Sequence, residues 1–61
     1  MKIEIIYVDG HSMELVERVD GYEINDGVLH VWHQSVYRED LGNWPLINLR
    51  RYRVIKEGWD R

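Results

Sequence analysis

Histidine is the side chain that most readily binds a metal ion or carries a proton near neutral pH, and this 61-residue chain has three of them. His30 and His33 are three positions apart, a spacing that places two side chains on one face of a helix but on opposite faces of a strand. Because the surrounding segment is rich in β-branched and aromatic residues, we expect a strand, on which the pair cannot share one metal ion. His11 follows a turn-forming glycine. The histidines therefore predict surface or rim roles, and we expect no metal or other cofactor.

Side chains suited to nucleophilic catalysis are scarce. The chain has no cysteine and no threonine, and its serines are Ser12 and Ser35. No segment matches a nucleophile elbow, a glycine-rich phosphate loop or a zinc-binding pair of histidines on a helix. A domain of this length also has little volume for a pocket that excludes water. The sequence therefore predicts that the protein is not an enzyme.

The strongest functional signal is the segment LRRYRV, residues 49–54, in which three arginines interleave with a tyrosine. Guanidinium groups beside an aromatic ring can pair with carboxylates, or they can contact phosphates while the ring stacks on a base. Strand alternation predicts two faces, one with Leu49, Arg51, Arg53 and Ile55 and the other with Arg50, Tyr52 and Val54. Three interpretations stay open: a charged edge strand that resists aggregation, a contact for an acidic protein or subunit, and a nucleic-acid or nucleotide site.

The aromatic residues are three tryptophans and four tyrosines, without phenylalanine. Trp32 and Trp44 are either core residues or the centre of a binding patch, and a small core without phenylalanine favours burying at least one of them. Trp59 follows a glycine near the end of the chain and is predicted to be an exposed anchor. With the arginine segment, these considerations define the predicted contact surface: Trp44, Arg50, Arg51, Tyr52, Arg53 and Trp59.

Three Asp-Gly pairs, at positions 9–10, 20–21 and 26–27, divide the chain into the segments that must position these residues. Both residue types tolerate the positive φ of tight turns, so each pair predicts a hairpin between β-prone segments. Residues 2–8, 22–24 and 28–37 predict strands. Residues 12–19 fit a strand or a short helix with Ser12 as its N-cap, and a strand is favoured because so short a helix needs strong packing.

The second half of the chain has fewer signals. Residues 38–43, REDLGN, predict a polar turn centred on Leu41, Gly42 and Asn43. Pro45 cannot donate to a ladder, so residues 44–47 predict an edge strand or the beginning of a strand. One turn of 3₁₀ helix fits within residues 46–51, before a last strand at 52–57 and a tail at 58–61.

The fold class that these elements predict is all-β with one short helical turn, in a single small domain over residues 1–61. A small antiparallel meander leaves one apolar face uncovered. It therefore curls into a barrel similar to SH3-like and Sm-like barrels, or it packs as a dimer. Neither likeness assigns a function. No apolar run is long enough to span a membrane, and the first residues lack a signal-peptide pattern, so we expect a cytoplasmic protein without a membrane partner.

Charge is distributed unevenly along the chain, whose net charge is −3. Residues 1–30 contain seven acidic and two basic side chains, whereas residues 31–61 contain four acidic and six basic ones. This asymmetry fits pairing between oppositely charged strands or subunits. An acidic domain repels a polyanion as a whole, which weakens the nucleic-acid interpretation.

A longer pattern combines two Asp-Gly turns with a closing segment rich in tryptophan, proline and arginine. Its residues here are Asp9, Gly10, Asp26, Gly27, Trp44, Pro45, Leu46, Leu49, Arg50, Tyr52 and Val54. In this pattern the chain resembles short, uncharacterised β-rich proteins of bacterial viruses and bacteria. Because the shared residues are turn and core residues, the resemblance implies a fold and no active site.

The function that the sequence predicts is a small binding module that acts through protein–protein contact or self-association, with a homo-oligomer or a protein partner. A second hypothesis, from another class, is binding of single-stranded nucleic acid or a nucleotide on the Arg50–Arg53 surface. A third is a purely structural subunit whose interface is an apolar sheet face.

Overall fold

Six strands in two antiparallel sheets make up the computed structural model of the protein, which describes residues 1–56. The strands are β1 (Lys2–Tyr7), β2 (Met13–Val16), β3 (Gly21–Asn25), β4 (Val28–Gln34), β5 (Arg38–Pro45) and β6 (Leu49–Ile55). One sheet has the order β2-β1-β6 and the other has the order β3-β4-β5. The prediction of an all-β fold is therefore confirmed, and residues 12–19 contain a strand and not a helix.

One turn of 3₁₀ helix, Leu46–Asn48, lies between β5 and β6, where the sequence predicts it. It is the one helical segment within residues 1–56, and it is far too short to cross a membrane. Pro45 precedes this turn and ends β5, which is an edge strand. Residues 44–47 are therefore not the beginning of a strand, because β5 ends at Pro45 and the 3₁₀ turn follows directly.

Two of the three Asp-Gly pairs form hairpin turns. At Asp26-Gly27 both residues have positive φ, 53° and 71°, and they join β3 to β4 as a two-residue loop. Gly10, with φ 77°, lies in the turn from β1 to β2. The pair at residues 20–21 differs, since the positive φ falls on Arg18 and the chain turns a corner from one sheet to the other. The prediction of a hairpin there is wrong.

Residues 38–43 are a strand and not the predicted turn. They form most of β5, and the reversal lies at residues 35–37, where the Ser35 N–H donates to the Tyr37 carbonyl at 3.0 Å. The predicted strand over residues 28–37 therefore ends three residues early. Polar side chains suit β5 because it is an edge strand with one exposed face. A β-bulge at Leu41, which has no partner between the Val31 and Trp32 pairings, accommodates the irregular sequence.

The core lies between the two sheets and consists of the inward-facing side chains of both. Its buried members are Ile3, Ile5, Val16, Val19, Leu29, Val31 and Trp44. Half-buried side chains of Met1, Tyr7, Leu46, Leu49, Tyr52 and Val54 pack around them. Over residues 1–56, strand ladders stay within each sheet and do not close a barrel.

The corner between β2 and β3 fastens one sheet to the other. Met1 and Val19 exchange two hydrogen bonds, of 3.0 and 2.9 Å, and the Val19 side chain is buried in the core. The Asp20 carboxylate accepts the Gln34 N–H at 2.7 Å and lies 2.8 Å from His33 Nδ1. His33 is therefore engaged in holding the end of β4 against the corner, on the rim where the sequence predicts it.

Candidate functional site

Strand β6 carries the three arginines of the predicted contact surface and lies at an edge of the β2-β1-β6 sheet. Its pairing with β1 is irregular, because Ile6 pairs with Arg51 and Tyr7 pairs with Leu49. Arg50 is therefore the extra residue of a β-bulge. The bulge restores Leu49 to the inner face, where it packs against the core.

Because of this bulge, the faces predicted from strict alternation are wrong for two residues, Leu49 and Arg50. Leu49 shares the inner face with Tyr52 and Val54, and Arg50 does not. Strict alternation fails because a bulge adds one residue to β6 without adding one to β1. The side chains of Arg50, Arg51 and Arg53 are all exposed.

Two neighbouring rows of cross-strand residues on the outer face of the sheet differ in charge pairing. In one row Glu4 is opposite Arg53, and Glu4 Oε1 lies 3.3 Å from Arg53 Nη2. In the next row β1 offers Ile6 opposite Arg51. Arg53 therefore has a carboxylate partner on the adjacent strand, and Arg51 faces an apolar side chain instead.

Arg50 and Arg51 line a shallow depression of about 270 Å³ together with Ile6 and Gly10. The Arg50 guanidinium lies close over the turn, since a Cβ atom on Gly10 would be 3.0 Å from Arg50 Nη1. Among the residues that the structure describes, neither guanidinium has a hydrogen bond or an ion pair. Within residues 1–56, two cationic groups thus share one site without a carboxylate in ion-pair contact.

The same sheet face is apolar beside this depression. Met13 is paired with Ile6 and is 62% exposed, and Leu15 is paired with Glu4 and is 46% exposed. Apolar side chains this exposed and this close together are typical of interaction sites. The outer face of β2-β1-β6 therefore combines a cationic edge with an apolar strip.

The turn beside the depression is fixed by the carboxylate of Asp9. Asp9 Oδ1 accepts the N–H groups of His11 and Ser12 at 2.8 Å, and Oδ2 accepts the Ser12 hydroxyl at 2.8 Å. These hydrogen bonds, chiefly those from the Ser12 and His11 backbone, lower the pKa of the Asp9 carboxyl. The Gly10 N–H donates to the Tyr7 carbonyl at 2.9 Å. Three of the turn's N–H donors are therefore already used.

We expect Asp9→Asn to reduce the loss of unfolding free energy that the protein undergoes as the pH falls into the acid range. A lowered carboxyl pKa in the folded state stabilises the fold above the unfolded pKa of about 3.9, and this contribution is lost as the pH falls through the folded pKa. Asparagine keeps the turn-forming oxygen but does not titrate. Urea unfolding at pH 7 and below pH 3 should show a smaller difference for the variant. Equal differences in both proteins would contradict the role of Asp9.

The remaining predicted contact residues lie elsewhere. Trp44 is 8% exposed and belongs to the core, so its indole is not part of an exposed surface. Tyr52 is half-buried and packs against the core. Trp59 lies outside the described residues. The structure therefore brings together the three arginines of β6, and it separates them from Trp44.

A hydrogen-bonded chain that the sequence does not predict explains the setting of Trp44. Trp44 Nε1 donates to the Tyr7 hydroxyl at 2.9 Å, and that hydroxyl donates to Glu14 Oε1 at 2.8 Å. The hydrogen bond to Glu14 raises the pKa of the Tyr7 hydroxyl, partly opposed by the one from Trp44. The buried indole N–H is thereby satisfied, as burial requires.

The outer face of β3-β4-β5 has a second feature that the sequence does not predict. The Arg38 guanidinium stacks on the Trp32 ring, 3.7 Å from its centroid. The ring also lies against Gly21 on β3, where a Cβ would be 2.4 Å from Trp32 Cζ2. The sequence signal for this contact is a glycine opposite a tryptophan, and it can be recognised only when the register of β3 and β4 is known. The Trp32 ring is therefore partly buried between neighbours and already stacked with a guanidinium.

The described serines and histidines, and the potential metal ligands within residues 1–56, do not gather into one cluster. Three or more potential metal ligands do not come together there. Ser12 donates to Asp9 and not to a histidine, and the His11 ring has no hydrogen-bond partner in this part of the chain. His30 is hydrogen-bonded to Asn43 on the outer face. The groups described can bind other molecules, but they do not form a nucleophile–base pair.

The chain was compared with protein-family models, with curated proteins and with solved structures. None matches. The function proposed below is therefore argued from the surface chemistry of the described residues.

Proposed function

We propose that the protein is a small, non-enzymatic interaction module that acts by contact, with a protein partner or with a second copy of itself. The observation that carries this proposal is the outer face of the β2-β1-β6 sheet. Arg50 and Arg51, which have no ion pair within the described part of the chain, lie there beside Ile6, with exposed Met13 and Leu15 on an adjoining strand. Arginine and methionine are both enriched in protein interfaces, and no other described element covers this face.

Contact fits this surface better than catalysis does. The depression at Arg50 and Arg51 is shallow and lies at a sheet edge. Enzyme sites enclose their substrate so that electrostatic interactions act in a water-poor environment. An open edge instead suits a partner that itself supplies the cover, either as a flat surface or as an added strand.

We also propose that the two sheets, whose ladders do not join within residues 1–56, make up an incompletely closed barrel of the SH3-like or Sm-like kind, or that they complete their burial by packing as a dimer. A 3₁₀ turn before the last strand, and the return of β6 to pair with β1, support the barrel. Exposed Met13 and Leu15 on the outside of a sheet support the dimer. Sedimentation velocity at micromolar concentration distinguishes a monomer from a fixed oligomer.

We expect the double variant Arg51→Ala/Arg53→Ala to lose binding while keeping the fold. Both side chains are exposed at an edge, so their removal leaves the core intact, whereas a partner loses the cation of Arg51 and the outer face loses the Arg53–Glu4 ion pair. Pull-down from a native lysate with wild-type and variant bait, together with sedimentation, measures the loss of partner or of self-association. Far-ultraviolet circular dichroism verifies the fold.

The matched control is Lys56→Ala, which removes an exposed cation from the residue that follows β6. It should retain the partner. If the double variant captures and self-associates like the wild type, the proposal fails. A gel shift with single-stranded oligonucleotides that weakens steeply with salt would replace the protein partner by a nucleic acid.

A further inference from the structure

We propose that the depression at Arg50 and Arg51 binds a side-chain carboxylate from an acidic segment of a protein partner. This inference deepens the proposed function and rests on it, because it names the chemistry of the partner at the same edge. The ligand is an aspartate or glutamate side chain, held by two guanidinium groups above the floor formed by Ile6 and Gly10.

The first argument is an interaction that the chain already makes in the neighbouring row. Arg53 on β6 pairs with Glu4 on β1, directly across the ladder. Arg51 occupies the equivalent position one row along, but its cross-strand neighbour is Ile6. The geometry that satisfies Arg53 is therefore repeated at Arg51 without the carboxylate. A carboxylate from outside the chain completes the second pair.

The bulge supplies the second argument. Because Arg50 is the extra residue of β6, its guanidinium is directed over Gly10 and into the depression that Arg51 also lines. Regular alternation would have sent these two neighbouring side chains to opposite faces. Two guanidinium groups that line one depression can both donate N–H groups to the two oxygens of a carboxylate.

A carboxylate fits this site better than a phosphoryl group does. Phosphate sites in turns use free backbone N–H groups, and here the N–H groups of Gly10, His11 and Ser12 are hydrogen-bonded within the turn. The Asp9 carboxylate adds a negative charge to the same turn and opposes a doubly charged ligand. A net charge of −3 on the whole chain acts in the same direction.

The surroundings define the residue next to the bound acid. Ile6 forms part of the depression, and Met13 follows in the same row of the sheet. A residue close to the bound acid in the partner segment can then contact Ile6 and Met13. The preferred partner sequence has an apolar residue beside an aspartate or glutamate.

The test is a nuclear magnetic resonance titration of the full chain that follows the Nε–Hε signals of its arginines. The probe is a capped pentapeptide, glycine-glutamate-valine-glutamate-glycine, and its control has glutamine in place of glutamate. Inorganic phosphate at matched ionic strength is the third probe. We expect saturable shifts at Arg50 and Arg51 with the glutamate peptide, and smaller shifts with glutamine or phosphate.

Variants test whether the shifts report this site. Arg50→Gln and Arg51→Gln should each weaken peptide binding by about tenfold, as loss of a charge-assisted hydrogen bond predicts. Lys56→Gln removes the same charge beyond the end of β6 and should change the affinity less than about twofold. Equal weakening by Lys56→Gln would show a diffuse charge effect and overturn the site.

Ile6→Glu provides a second and independent test. It places a carboxylate opposite Arg51 in the position that Glu4 occupies opposite Arg53, so the site should be filled from within and peptide binding lost. The uncharged variant Ile6→Gln has the same shape and should still bind. If Ile6→Glu binds the peptide as well as Ile6→Gln does, the carboxylate site is wrong.

The two proposals can fail separately. If the peptide gives no shifts at Arg50 and Arg51 while pull-down or self-association still depends on β6, the contact function stands and the carboxylate chemistry falls. If the peptide binds and the variants respond, but neither a protein partner nor a second copy is captured, the site stands and the wider function falls. Tighter binding of phosphate than of the glutamate peptide would also overturn the inference.

Discussion

Leu29→Ala is expected to remove most of the stability of the fold. Leu29 is 0% exposed, on the central strand of its sheet, where it is paired with Ile24 on one side and Trp44 on the other. Truncation of a buried leucine costs about 2–5 kcal/mol, because the cavity left behind closes only in part. A single core of this size supplies about 3–5 kcal/mol in total. Urea unfolding followed by far-ultraviolet circular dichroism should show a large unfolded fraction without denaturant.

The matched control for Leu29 is its cross-strand neighbour. Ile24 pairs with Leu29 across the same ladder but is 48% exposed, because β3 is an edge strand. Ile24→Ala removes similar apolar volume from a site already in contact with water, and we expect it to cost below about 1 kcal/mol. Similar losses from both variants would mean that the sheets do not pack as described.

Gly42→Ala is expected to destabilise the protein by about 1–3 kcal/mol, the usual cost of overpacking a core. A Cβ atom at Gly42 would lie 2.4 Å from Trp44 Cη2 and 2.9 Å from two further ring atoms. Trp44 is enclosed by the core and hydrogen-bonded to Tyr7, so the ring cannot move away freely. The measurement is again the free energy of unfolding in urea.

Gly21→Ala is the comparison that makes this prediction specific. Its Cβ would be equally close to a tryptophan, 2.4 Å from Trp32 Cζ2. Trp32 is only partly buried, however, and the flexible side chain of Arg38 stacks on its ring. The indole can therefore swing out, and we expect a smaller loss than at Gly42. A greater loss from Gly21→Ala would show that the packing of Trp44 is looser than described.

Local signals account for the parts of the fold that the sequence predicts well. Asp26-Gly27 meets the positive-φ requirement of a two-residue hairpin, and alternation in residues 2–8 identifies the buried Ile3 and Ile5. The segment at residues 46–51, before the last strand, contains the predicted single turn of 3₁₀ helix. In each case the residues that carry the signal lie next to one another in the chain.

The failures concern features that depend on which strands are neighbours. Residues 38–43 look like a turn because they are polar and contain Gly42, yet an edge position makes polar residues acceptable in a strand. Gly42 is required by the ring of Trp44, two positions along on the same side of β5. A glycine two residues from a tryptophan is thus a packing signal as well as a turn signal, and only the pairing partner distinguishes the two.

In the candidate site, too, features set by neighbouring residues in the chain are predicted, and features that depend on strand pairing are not. Three closely spaced arginines in the last strand predict a cationic surface, and all three side chains are exposed. Trp44 is assigned to that surface because aromatic residues favour interfaces, whereas its pairing with Leu29 draws it into the core. The carboxylate of Glu4 beside Arg53 distinguishes the arginines from one another, and this difference is invisible until the register is known.

Because of the bulge in β6, Arg50 can be deleted without changing which side chains of the strand face the core. Because the residue has no partner on β1, a chain without it would join Leu49 directly to Arg51 and present the same inward side chains. One codon at this position therefore adds or removes a guanidinium without disturbing the interior. At a position in a regular ladder, by contrast, insertion or deletion of one residue would move the side chains beyond it to the opposite face of the sheet.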